Sequence, residues 1–143
     1  MLIIDEQFSS TDPVRRCQAL CFSSMIQELI DEDRIETELA GNLLELGEFF
    51  ILPAYQRFIA GAYACGFVCN DLAPSAFDIH QPRVAQTLSS VGFADIRAFT
   101  HVLLRAERWA DGMTSPVRDA LASGALAVVG RRIADDCDLY APF

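Results

Sequence analysis

At 143 residues, 52% hydrophobic and with a net charge of −9, the chain has the size of one domain and too many apolar side chains for a disordered polymer. It contains no lysine, so its eleven positive charges are all arginine, which excludes a Walker A lysine, a Schiff-base lysine and a lysine general base. Residues 1–50 hold eleven acids and three arginines, the remainder nine and eight; a field of that sign repels nucleic acid and anionic membrane and attracts basic protein surfaces.

The longest uncharged stretch, Phe58 to Asn70, is shorter than the roughly 20 apolar residues that span a bilayer, so no membrane span is expected. Met1-Leu2-Ile3-Ile4-Asp5-Glu6 lacks the basic segment of a secretory leader. Five cysteines are an odd number in a chain large enough to need no staples. Together these point to reduced thiols in a cytoplasmic protein.

Taken in chain order, Thr11-Asp12-Pro13 predicts a helix start, with a capping side chain and proline at the first helical position. That helix is expected to run to about Ile30, burying Cys17, Leu20, Cys21 and Leu29. Ile35, Leu39, Leu43, Leu46 and Phe50 recur at four, four, three and four residues. This spacing predicts a second amphipathic helix, its stripe buried and Glu38, Glu45 and Glu48 turned to water. Pro53 opens a third helix, whose Gly61, Ala62, Ala64 and Gly66 would let another helix approach closely, within the chain or across a homodimer. Residues 71–81 read as a loop and Pro82 to Ser90 as a short helix. Asp95 to Asp111 is the clearest helix, with Ile96, Phe99, Leu103, Ala106 and Ala110 on one face and Arg97, His101, Arg105 and Arg108 roughly opposite. Ser115-Pro116 starts another helix, Gly124 breaks it, and Leu126, Val129 and Ile133 form a last stripe. Only Leu2-Ile3-Ile4 and Phe67-Val68-Cys69 carry a strand signal. There is no repeat, low-complexity tract or linker, so residues 1–143 read as one all-α domain, a compact bundle of about five to seven helices.

The segment Leu103-Leu104-Arg105-Ala106-Glu107-Arg108-Trp109-Ala110-Asp111-Gly112 resembles the Leu-x-Arg-x-acid-Arg-aromatic-x-x-Gly signature of an uncharacterised family of small bacterial proteins. Ala122-Ser123-Gly124-Ala125-Leu126 and Arg131-Arg132-Ile133 resemble the break and closing helix that follow it there. The likeness spans about Asp95 to Ala134, with Trp109 where phenylalanine is more usual. It implies a helical fold and a bacterial origin, with mobile DNA as a carrier, and assigns no chemistry.

Three constellations are candidates for function. Arg97, His101, Arg105 and Arg108 lie within about 80° on one helix, and such a row either clamps an anion through its guanidinium groups or pairs internally with carboxylates. Cys17/Cys21 and Cys65/Cys69 are two i, i+4 pairs; four thiolates suit zinc, but free cysteine more often packs as a small hydrophobe, so no metal site is assigned. Glu28, Asp31, Glu32, Asp33, Glu36, Glu38, Glu45 and Glu48 form an acidic face that either engages a basic partner or merely solvates the protein. No nucleophile elbow or zinc-binding His-x-x-x-His pattern is present, and His80 and His101 select no nucleophile. Tyr55 and Trp109 are expected at the edge of the core, with Tyr140-Ala141-Pro142-Phe143 a further source of aromatic contact.

The sequence therefore points to a non-enzymatic, acidic protein-binding protein without cofactor. Its expected partner is a basic protein surface, such as that of a nucleic-acid-binding protein, rather than nucleic acid or membrane. Its expected role is an anti-CRISPR-like inhibitor of nucleic-acid-handling machinery. Two alternatives stand beside it: an immunity protein or antitoxin neutralising a toxic enzyme, and a small enzyme or anion-binding domain centred on the arginine row.

Overall fold

The computed structural model describes residues 13–68 and 78–139. Among them the chain forms seven helices and no strand: α1 (Pro13–Ala40), α2 (Leu46–Phe50), α3 (Pro53–Ala64), α4 (Val84–Leu88), α5 (Phe93–Trp109), α6 (Pro116–Ala122) and α7 (Ala125–Leu139). The all-α expectation holds. Phe67 and Val68 are not strand; Leu2–Ile4, Cys69 and the tail from Tyr140 lie outside the described residues, as do most of the expected loop and the Cys137 side chain.

The first half of the chain departs from the expected two-helix reading. α1 does not end near Ile30 but continues through the acidic cluster to Ala40. Its buried side is Ala19, Phe22, Ile26 and Leu29, a three–four–three spacing that places Cys17 and Cys21 outside, where both are exposed. The stripe expected to be buried is not: Ile35, Leu39 and Leu43 are 48%, 77% and 75% exposed. Ile35 and Leu39 lie on the side of α1 away from Ile26, and the helix then stops at Gly41, which takes a left-handed φ of +78°, a conformation that glycine adopts without the Cβ penalty. Its N–H closes on Thr37 O at 3.0 Å, ending the helix as a left-handed cap does. Past that turn the register is reset, and Leu44 and Phe49 enter the core instead.

α1 packs along α3 and α7. The small-residue expectation for α3 is met inside the chain: a Cβ at Gly61 would fall 2.1 Å from Met25 Sδ, so glycine there admits the α1 side chain. On the other flank, Ser23 Oγ donates to Gly130 O of α7 at 2.9 Å. Phe22 stacks on Phe58 and Phe67 at centroid separations of 5.4 and 4.5 Å. α3 ends in a Schellman turn, with Phe67 N–H to Ala62 O at 2.9 Å and Gly66 N–H to Tyr63 O at 3.3 Å. From the second half, Leu88, Ile96, Phe99, Leu103, Leu126, Val129 and Ile133 complete the core, the last three as their spacing predicts. Among the described residues no helix is long and apolar enough to cross a membrane.

Candidate functional site

The arginine row is largely taken up by the fold. Arg97 is 2% exposed and donates from Nε and Nη2 to Gly66 O at 3.0 and 2.9 Å. A guanidinium thus sits at the carbonyl end of α3, where the helix dipole favours positive charge. Of the two readings of this row, an anion clamp or internal pairing, Arg97 is turned inward onto a carbonyl; His101 is also buried, Arg105 is half-buried and Arg108 is exposed. Burial, then Arg105 and Arg97, hold the His101 imidazole below its ordinary pKa, and its Nδ1 has no hydrogen-bond partner among the described residues. Two more arginines serve backbone carbonyls. Arg132 donates to Leu88 O at the end of α4, at 2.9 Å. Arg118 donates to Leu44 O beyond the α1 turn and lies 5.6 Å over the Phe49 ring.

The acidic residues do not form one uniform face. Glu28 takes Arg57 Nε at 3.1 Å, and Glu32 accepts the Ala54 N–H at 3.3 Å, placing a carboxylate at the start of α3. Asp31 has Gln27 and Arg34 beside it at 3.0 and 3.5 Å. Asp33 is half-buried facing α6; burial raises its pKa, against the pull of Arg118. Glu48 accepts the Glu45 N–H at 3.0 Å, closing the first turn of α2.

Three of the eight converge. Glu32, Glu36 and Glu48 line a groove of about 330 Å³ with Leu44, Ile51, Leu52 and Pro53. Ile51 is 70% exposed. The 100° helical step sets Ile35 and Leu39 on the strip of α1 beside Glu32 and Glu36. The groove itself combines carboxylates with exposed Ile51, and exposed Ile35 and Leu39 flank its acidic strip on α1. The sequence shows the carboxylates, but Ile51 as a wall of their groove emerges only from the turn after α2.

A second concavity lies on the other flank of α3. Tyr55, Ile59 and Tyr63 of α3 face Leu104, Glu107 and Arg108 of α5 across a cleft of about 360 Å³. Glu107 is buried. It accepts Tyr55 Oη–H at 2.6 Å, Ser115 Oγ–H at 2.8 Å and the Val117 N–H at 2.9 Å. Burial first, then the hydrogen bond to and charge of Glu107, push the Tyr55 phenol far up, so it remains protonated. The sequence shows Glu107 as the acid of the Leu-x-Arg-x-acid-Arg segment but not its role, because its partners Tyr55 and Ser115 lie 52 and 8 residues away.

Cys65 is buried at the end of α3, its thiol pushed up by burial and by neighbouring Cys21. Among the described residues no group of three or more His, Cys, Asp or Glu is placed to hold a metal ion; Cys69 lies outside them. Trp109, expected at the core edge, is instead 78% exposed, because the helical step turns it away from the face carrying Leu104 and Glu107. Compared with protein-family models, curated proteins and solved structures, the chain matches none.

Proposed function

We propose that this is a non-enzymatic binding protein that engages a basic protein surface through the groove formed by α1, α2 and the start of α3. The observation that supports this reading is the pairing of Glu32, Glu36 and Glu48 with exposed Ile35, Leu39 and Ile51. Carboxylates steer a basic partner and give salt-sensitive association, while affinity needs apolar side chains that become buried on contact. A merely solvated acidic face would not need large aliphatics at the same place. In this reading the partner belongs to nucleic-acid-handling machinery, whose basic grooves fit such a field, and the protein acts as an anti-CRISPR-like inhibitor.

The test is affinity capture from bacterial lysate after nuclease treatment, comparing the wild type with Glu36→Arg/Glu48→Arg and with Leu39→Ser/Ile51→Ser. A nucleic-acid-binding protein retained by the wild type, weakened by salt and lost from both variants is the expected result. Capture that is indifferent to both pairs, in variants with unchanged helical circular dichroism, would sink the reading.

A further inference from the structure

The lining of the cleft between α3 and α5 carries side chains of both charge signs, Glu107 and Arg108. Tyr55 has its proton committed to Glu107 at 2.6 Å, which leaves the phenol oxygen an acceptor backed by a buried carboxylate. Ser115 and the Val117 N–H satisfy Glu107 as well, and no arginine or histidine among the described residues lies within ion-pair distance of it. The opposite charge is supplied by Arg108, exposed on the same cleft, whose guanidinium donates to carboxylates in a planar fork. The rest of the lining is aromatic and aliphatic: Tyr63, Ile59 and Leu104. A volume of about 360 Å³ falls in the range of small-molecule sites, which are apolar clefts with a few directed polar groups.

We infer that this cleft binds a small zwitterion with an apolar body, in chemical class an aromatic α-amino acid. Its ammonium group donates to Tyr55 Oη beside Glu107, its carboxylate meets Arg108, and its ring lies against Tyr63, Ile59 and Leu104. A cation alone would meet Arg108 unfavourably, and an anion alone would meet Glu107. The zwitterion satisfies both charges. This site is separate from the acidic groove and does not depend on the function proposed for it.

The experiment is isothermal titration calorimetry of the full chain with L-phenylalanine, phenethylamine and 3-phenylpropanoate, which share a ring and differ only in their charges. L-Phenylalanine is expected to bind about tenfold or more tightly than either single-charge probe, each factor of ten corresponding to about 1.4 kcal/mol. Arg108→Ala should erase the preference over phenethylamine, and Tyr55→Phe the preference over 3-phenylpropanoate, with circular dichroism showing both variants folded. Absence of L-phenylalanine binding at millimolar concentration, equal binding of all three probes, or a preference untouched by either variant would overturn the inference.

Discussion

Glu107 shows how one side chain can join three parts of a chain. It ties Tyr55 of α3 to α5 and reaches Ser115 and Val117 at the start of α6. Removing it strands the Ser115 hydroxyl and the Val117 N–H in a buried place and leaves the half-buried Tyr55 hydroxyl without its acceptor, and each unsatisfied buried group costs about 1–3 kcal/mol. Glu107→Ala should therefore lower stability by roughly 3 kcal/mol or more in urea unfolding, whereas Tyr55→Phe, which removes one donor and leaves two, should cost about 1–2 kcal/mol. His101 carries the clearest pH dependence. Its folded pKa lies below that of the unfolded chain, so below about pH 6.5 the unfolded state takes up a proton that the folded site resists. Stability is full above that pH and falls as pH drops through it towards the folded pKa. Urea midpoints at about pH 7.5 and 5.5 should differ in that direction, with a smaller difference in His101→Gln. Asp33 has the opposite sign, since its raised pKa lets the folded state gain the proton first as the solution becomes more acid.

At the scale of elements, helix ends matter as much as helix faces. Arg97, Arg118 and Arg132 each give a guanidinium to a main-chain carbonyl near the end of another element, groups that water would otherwise have to satisfy. Arg97→Ala leaves Gly66 O without these bonds at a half-buried position. The expected cost is about 2–3 kcal/mol, the range of hydrogen bonds to charged groups, read from a shifted urea midpoint. The α1–α3 contact gives a separable prediction. Gly61→Ala places a methyl group against Met25 Sδ, the far end of a flexible side chain that can shift, so the cost should stay at or below the low end of the roughly 1–3 kcal/mol of overpacking. Adding Met25→Ala should relieve the clash, so the double variant should be more stable than the sum of the two single changes implies; strict additivity in a double-mutant cycle would disprove the contact.

Across the whole molecule, charge and apolar exposure coincide at the far end of α1. Leu39 and Ile51 are 77% and 70% exposed, so Leu39→Ser/Ile51→Ser should change stability by no more than about 0.5 kcal/mol per site, as surface substitutions do. A large loss in thermal unfolding would mean that these side chains serve the fold and not a partner. The expectation of a buried stripe from Ile35 to Phe50 failed for a related reason. Its spacing suited a helix, but Gly41 ends α1 within that span, so residues on either side belong to different axes. Phe49, one position off the stripe, takes the buried place.

The sequence by itself determined the all-helical class, the starts at Pro53 and Pro116, the break at Gly124 and the buried stripe of Leu126, Val129 and Ile133, because these depend on local capping chemistry and on helical period. It also placed the carboxylates in the first third of the chain. Only the tertiary structure decided which of them converge, that Arg97 and His101 are interior, and that Glu107 and Tyr55 meet. Such contacts join residues tens of positions apart, and their partners are chosen by how helices cross and where each one stops, which no period along a single helix encodes.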